Sequence, residues 1–573
     1  MSSAETPAEA GNGLSRFSLH ATEASSAAVL DRLAADRAAA PGLRPEGTDA
    51  PAAVDPETAA RRILDQALAS PAVPSLTAPV ADGVVSEFKT IGTETVPLTG
   101  TTTVKFRQSV AGIPVYGSLV TVELDENNEL VGLDSAVGEP DGVDPVATVA
   151  PAAALAAAAE APDGYTPDLA GAVPKLHWYY DRAGSRWRLV YLLEHVPVTI
   201  DRDHESADDR DSGLEPPRFV DYVIDAHDGD VVTLVPRTPS MAGPAEDQTA
   251  PDSFGASRTF SAERDGDRLL LRDAAHNVET YDFGFGDPAV DDGRLPGDAI
   301  ANPPDWTPAA VSAHANAVAV SEFLRTVLMR DNIDGRGGTM VSTINCVVAD
   351  ASPAPKVWVN AFWNGAQMVY GQVQRAEGLR SLSANVDVVA HEMFHGVTDH
   401  TSRLEYAFQP GALNESYSDI FGTIVANQGN DDPRTWDWEL GEKLMVGDKP
   451  FRDLGDPGRF DQPAHMRDFR VLPNTRAGDF GGVHVNSGIP NKAAFNLLTA
   501  EGADGNLVMT PAEAAAAFYL ALTQRLSRTS QFADSRRAVV ASTRTLFRNA
   551  PTEVREAKVA AVEAAFEAVG IEG

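Results

Sequence analysis

His391-Glu392-Met393-Phe394-His395 stands at the centre of the stretch from Asp387 to Asp419, and the rest of the chain reads outward from it. Two histidines four residues apart lie one above the other on a single helix face. Both imidazoles can then turn to one metal ion while the glutamate between them reaches a water on that ion. The spacing predicts a zinc hydrolase. With 12 histidines in 573 residues, such a pentapeptide arises by chance in about a few per cent of chains, so the residues downstream have to decide. Asn414-Glu415-Ser416-Tyr417-Ser418-Asp419 opens a second helix, continued by Ile420, Phe421, Ile424 and Val425 at helical spacing. Glu415 and Asp419 share a face, one placed to bind metal and the other to hold a ligating histidine. Catalytic zinc commonly takes three protein ligands and leaves a fourth position to water, and His/His/Glu is one of the standard sets. Helix capping would explain one acid, not two matched to the histidine pair.

Four blocks in this order resemble the signature of the thermolysin-like zinc metallopeptidase family: His391 to His395; Gly411-Ala412-Leu413-Asn414-Glu415 with Ser418-Asp419-Ile420-Phe421-Gly422; Gly481-Gly482-Val483-His484-Val485-Asn486-Ser487-Gly488; and Asn360-Ala361-Phe362-Trp363-Asn364-Gly365, similar to the family's active-site edge strand. The similarity spans roughly residues 255 to 573. His391, His395 and Glu415 are then the zinc ligands, and Glu392 is the general base that takes a proton from water and passes it to the departing amine. The resemblance implies Tyr406 and His484 as donors to the oxyanion, Asp479 as the residue that orients His484, and Asp419 as the one that orients His391. It implies Asn360 and the backbone of Ala361 as partners of an extended peptide, and Arg452 as a contact to a substrate carbonyl. Leu379, Leu382, Val388, Leu440, Leu444 and Phe451 fall where the family lines its primed-side pocket, which implies a bulky apolar residue just after the scissile bond. Asp387, Asp437, Glu439 and Glu442 match oxygen ligands of a paired calcium site. The glutamate that bridges both ions in the family is Ala426 here, so one calcium at most is expected.

Composition frames this reading. A chain of this length exceeds what one hydrophobic core supports, so several domains are expected. The 82 acidic and 46 basic residues give a formal charge of −36, which argues against nucleic-acid or anionic-membrane partners. The lone Cys346 excludes an internal disulfide framework. No stretch approaches the roughly 20 consecutive apolar residues of a membrane span.

Residues 1–55, rich in Ala, Ser, Pro and Glu, read as a mobile leader; the opening residues offer neither the basic end nor the apolar run of a secretory signal. The resemblance nevertheless implies secretion, with a cytoplasmic location as the alternative. Over 56–237 the expected order is a helix at Ala59–Ala69, strands at 102–110, 115–123 and 130–135, a helix at Val149–Ala161, and strands at 176–181, 186–195 and 219–224, an α+β region with antiparallel sheets. Phe106 to Gly117 and Trp178 to His195 resemble the family's propeptide modules, implying an intramolecular chaperone and inhibitor, hence a zymogen. Residues 238–257 read as an exposed linker with the processing site. The catalytic part divides into a sheet-rich lobe, 258–385, and a helical lobe, 386–573, with the HExxH helix between them. The overall class is α+β. The expected protein is a monomeric zinc endopeptidase acting on peptides or proteins and inhibited by its own propeptide. Two alternatives stand beside it: a narrow-specificity zinc aminopeptidase, and a catalytically silent peptide-binding protein of the same fold.

Overall fold

Alternating β-branched and polar residues over 101–138 place Val104, Phe106, Val120, Val122 and Leu133 on one buried face. That alternation builds the first sheet. The computed structural model describes residues 13–23, 55–69, 86–161, 165–182, 184–200, 219–236, 246–265, 267–288, 294–348 and 356–572. Strands β1 (Leu14–His20), β2 (Ser86–Val96), β3 (Thr101–Val110), β4 (Leu119–Leu124) and β5 (Leu130–Gly138) form an antiparallel sheet in the order β1-β5-β4-β3-β2. Helix α1 (Pro56–Ala69) lays Ala59, Ala60, Leu64 and Ala67 on its apolar face. The expected leader is therefore partly structured: Leu14 pairs with Gly138 and His20 with Gly132, and Leu19 is buried. Seven residues of alternating character were too short a signal within a polar, Ala-rich surround. Residues 1–12 and 24–54 lie outside the described residues.

A second antiparallel sheet follows, β6 (Lys175–Asp181), β7 (Arg186–Ile200), β8 (Phe219–Asp225) and β9 (Val231–Pro236), paired in the order β6-β7-β8-β9. Helix α2 (Pro151–Ala159) packs Ala154 and Ala158 against Trp178, Leu189 and Tyr222. Of the expected linker, 238–245 lies outside the described residues. The rest is not a free linker: β10 (Glu246–Pro251) pairs along β11 (Ser257–Asp265), and Ser253 N–H donates to Ser312 Oγ at 2.9 Å.

The sheet-rich lobe contains a mixed sheet of β12 (Val278–Asp282), β13 (Met340–Ile344), β15 (Met368–Arg375) and β14 (Trp358–Trp363). The pairs β12–β13 and β13–β15 are parallel, and β14 is the antiparallel edge strand. Helix α3 (Pro308–Thr326), capped by the Thr307 side chain, covers it. The helical lobe comprises α4 (Val386–Asp399), α5 (Phe408–Ala426), α6 (Asp479–Asn486), α7 (Gly488–Leu498), α8 (Pro511–Leu520), α9 (Phe532–Leu546) and α10 (Thr552–Glu567). The last had no sequence expectation. One core joins both lobes through Phe323, Phe394, Tyr417, Phe421 and Phe518, with Phe394 and Phe421 stacked at 4.0 Å between centroids.

The N-terminal sheets dock on residues 523–548 of the helical lobe. The helix ends in a π turn, Ala521–Arg525, and the carbonyls of a last helical turn lack partners further along it. Thr523 O accepts from Lys105 Nζ at 2.9 Å and Gln524 O from Thr121 Oγ1 at 3.3 Å. Arg525, nearly sealed from water, bonds Glu123 Oε2 at 2.6 Å and also Asp134. Arg528 pairs with Glu194 at 3.0 Å and Arg182 with Glu405 at 3.4 Å. No described helix is long and apolar enough to cross a membrane.

Candidate active site

Helical spacing on α4 and α5 brings the expected ligands together. His391 Nε2 and His395 Nε2 lie 3.1 Å apart, with Glu415 oxygens 3.5 and 3.4 Å from them. Among the described residues this is the one group of three His, Cys, Asp or Glu whose ligand atoms all lie within 4.8 Å of one another. The close approach of α4 and α5 depends on Gly422, where a Cβ would stand 2.7 Å from Asp387 O.

The surroundings prepare each donor. Burial holds the His395 pKa down at about 4, so the ring is neutral with a lone pair free. Its Nδ1 faces Asn414 Oδ1 at 2.9 Å and Ser418 Oγ at 3.2 Å. His391 Nδ1 lies 2.8 Å from Asp419 Oδ1. Burial works to raise the Glu415 carboxyl, but His484, His395, His391 and Arg452 outweigh it and hold the group well below the usual carboxylate range. Glu415 Oε2 is buried without a hydrogen-bond partner. A buried, ionised, unsatisfied oxygen beside two converging imidazole nitrogens is the donor set a zinc ion requires, and the residues fit one.

Glu392 sits on the same helix turn. Its Oε2 accepts from Trp363 N–H at 3.1 Å, tying it to the edge strand β14. Burial, reinforced by the Glu415 charge, lifts its pKa to about 7, which suits a group that must both take and give a proton near neutrality. Tyr406 OH donates to Glu415 Oε1 and lies 3.2 Å from His484 Nε2. Burial lowers the tendency of His484 to charge, yet Glu415 and Asp479 overcome it and push the pKa up to about 9.

Asp479 holds His484 in place. Phe480, Gly481 and Gly482 all have positive φ, so the true helix starts only at Val483. That left-handed segment folds the Asp479 carboxylate back over the helix start. There it accepts from His484 N at 2.8 Å, Val485 N at 3.0 Å and the His484 ring at 2.6 Å. At Gly481 a Cβ would lie 2.4 Å from the Phe408 ring.

Asn360 and Ala361 lie on β14, whose outer edge pairs with no described strand and whose register shifts between Trp358 and Ala361. Arg452 donates to Asp419 Oδ1 from Nε and Nη2 at 3.1 and 2.8 Å, and Asn491 Nδ2 satisfies Oδ2 at 2.8 Å. Leu382, Val388 and Leu444 form a small buried cluster against which Ala361 and Phe451 pack. Leu379 is exposed and Leu440 is buried apart from it.

Of the four expected calcium ligands, Asp387 meets Glu442 and Asp437 lies close enough to act on the Glu442 charge, while Glu439 points elsewhere. Asp387 is buried, accepting from Val388 N at 2.6 Å and Gly441 N at 2.7 Å, and touches Glu442. Burial and that neighbouring carboxylate push its pKa to about 7. Glu439 turns instead to Arg459 Nη2 at 2.7 Å, and Asp437 Oδ1 accepts from Glu439 N at 3.0 Å. Sequence reasoning gave no role to Asn414, Ser418 or Asn491. The first two lie inside a quoted block, but nothing local marks Asn491, which reaches Asp419 from α7.

Comparison with known proteins bears on this arrangement. The thermolysin metallopeptidase catalytic domain model matches residues 247–399, and the alpha-helical domain model of the same peptidases matches 402–571. Neutral protease NprE of Bacillus pumilus is 36% identical over 326 residues, covering 55% of this chain and 96% of that protein. The chain belongs to the thermolysin metallopeptidase family. A fungalysin/thermolysin propeptide motif matches 86–137, the sheet from β2 to β5. Neutral protease B of Bacillus subtilis (strain 168) is 30% identical over 516 residues, 85% of each chain. Bacillolysin of Bacillus amyloliquefaciens is 40% identical over 263 residues, where the match spans 46% of this chain but only 44% of that protein.

Proposed function

We propose that this chain is the precursor of a zinc endopeptidase that cuts extended peptides on the amino side of a bulky apolar residue. The observation that carries the proposal is the convergence of His391, His395 and Glu415 beside a Glu392 carboxyl poised near neutrality. Zinc held by those three residues would supply Lewis-acid polarisation of the scissile carbonyl and an acidified water. Glu392, fixed by Trp363 N–H, takes the proton of the attacking water and returns it to the departing amine. His484, charged and held by Asp479, and the Tyr406 hydroxyl donate to the oxygen on which negative charge develops.

The free edge of β14 accepts an extended peptide as an added strand through Asn360 and Ala361, a mode that tolerates many sequences. Leu382, Val388, Leu444 and Phe451 pack beside Ala361 of that strand and would meet the apolar side chain, and Arg452, anchored on Asp419, is the contact to a substrate carbonyl that the family resemblance implies. Asp387 with Glu442 would anchor one calcium ion. The N-terminal region acts as chaperone and inhibitor until a cut between about 236 and 260 releases a monomeric, exported enzyme. Purified full-length protein is incubated with and without a zinc chelator, its mass followed, new amino termini sequenced and casein hydrolysis measured. A chelator-sensitive cut in that window, with casein hydrolysis abolished by Glu392→Ala, is expected; hydrolysis that survives the substitution would show the assigned chemistry to be wrong.

A further inference from the structure

A cavity of about 440 Å³ lies between the N-terminal sheets and the helical lobe, separate from the zinc-type site. Lys105, Arg107 and Lys175 enter it from the N-terminal side and Arg403 and Arg528 from the catalytic side, while Glu194 is the one carboxylate of its lining. Within the lining five cations stand against one carboxylate, in a chain whose formal charge is −36. Lys105 is held by Thr523 O at 2.9 Å and by Glu94 at 3.6 Å, Lys175 by Glu194 at 3.3 Å, and Arg528 by Glu194 at 3.0 Å, Asp221 at 3.6 Å and the Tyr116 hydroxyl at 3.3 Å. Arg107 makes no side-chain hydrogen bond or ion pair among the described residues, and desolvation together with repulsion from Arg528 holds its pKa below the ordinary arginine value. Val115, Leu192 and Leu526 supply apolar wall. A cavity of this size suits an organic molecule rather than a bare ion.

We propose that this cavity binds a small organic anion, with its apolar body against Val115, Leu192 and Leu526 and its phosphate or carboxylate head at Arg107. Guanidinium groups bind both heads through paired charge-assisted hydrogen bonds. Because the walls come from both regions, an occupant binds the assembled chain and not its separated parts, so it stabilises the assembly and slows release of the N-terminal region. That last consequence rests on the precursor reading; the binding site does not.

The test is calorimetric titration of full-length protein carrying Glu392→Ala, which does not cut itself under that reading, with phenyl phosphate, phenylacetate and inorganic phosphate at constant ionic strength. One-site saturable binding of an aromatic anion is expected, about tenfold tighter than inorganic phosphate, and the tighter of the two aromatic anions identifies the head group. Arg107→Gln should weaken it about tenfold, the loss of one charge-assisted pair. Lys175→Gln, at a position 58% exposed and so safe for folding, should weaken it several-fold, and Arg467→Gln, 74% exposed and outside the cavity, should leave it unchanged. No saturable binding of either aromatic anion, inorganic phosphate binding as tightly as both, or unchanged affinity in both cavity variants would overturn the proposal. In the unsubstituted chain the tighter anion should slow processing. Binding without that slowing would count against the precursor reading and leave the site standing.

Discussion

Two buried carboxylates lie about one helix turn apart along the contact of α4 and α5, Asp419 towards the metal-ligand end and Asp387 at the start of α4, and they behave in opposite ways. At the catalytic end Asp419 is fully buried, yet Arg452 and His391 outweigh the burial and hold its pKa below the usual range, while Asn491 satisfies its second oxygen. At the other end Asp387 is equally buried, but it meets Glu442, and its pKa rises towards neutrality. Glu442 is pushed up in turn, by burial and by Asp437. Both carboxyls are buried; the difference lies in whether the fold supplies a cation. Where it does, the carboxylate is a permanent charge that can orient a metal ligand. Where it does not, the carboxylate keeps a proton or waits for an ion.

The sharpest way to break this contrast is to remove the anion from the catalytic end. Asp419→Ala leaves the buried Arg452 guanidinium with only the longer contact to Glu415 at 3.8 Å, which costs about 3–5 kcal/mol. It also frees the His391 ring, so zinc affinity should fall by about 10- to 100-fold. Chemical denaturation and zinc titration measure the two effects separately. A variant of normal stability and zinc affinity would mean that the ion pair holds nothing in place.

At the opposite end the expected change has the other sign. The Asp387 carboxyl has a folded pKa of about 7 against an ordinary value of 3.8, so the folded chain binds the extra proton and stability falls as pH rises from about 4 to about 7. Asp387→Asn should flatten that fall and raise the melting temperature at pH 8 in calcium-free buffer. Calcium should restore stability to the unsubstituted chain at pH 8 and do little for the variant. Equal pH profiles for the two chains would remove the like-charge account. The smallest effect belongs to Arg459→Ala. Its pairs with Glu439 and Asp453 are solvent-screened, so the change in melting temperature should sit at the edge of detection without calcium. A large loss would show that Arg459 stands in for a structural cation.

The same contrast explains what the sequence made legible. Helical spacing put His391 with His395 and Glu415 with Asp419 on shared faces, because residues four apart on one helix lie together; the family resemblance said which acid is a ligand, and the structure brings the four within hydrogen-bonding or ligand range. The two-lobed catalytic architecture was legible in the change from strand-like segments before residue 386 to mainly helical ones after it, α4 and α5 being the first of these. Asp437 lies on a loop and Glu439 opens a strand of only two residues, where spacing says nothing about direction, and the turn of Glu439 to Arg459 depends on a residue twenty positions away. Asn491 lies 72 positions from Asp419, and the strand Leu14–His20 finds its partner at 132–138. Pairings at that separation leave no local trace. Gly481 and Gly482 open a quoted block, but only the positive φ angles of Phe480 to Gly482 show how Asp479 is folded back onto His484.

The most direct test of the central claim is the metal content of the native chain. Native mass spectrometry of the zinc-loaded protein should show one tightly held zinc per chain, lost in Glu415→Ala and in His395→Ala while the mass and fold of the polypeptide are otherwise unchanged. One zinc retained at full occupancy in the double variant His391→Ala with His395→Ala would place the metal elsewhere and contradict the account.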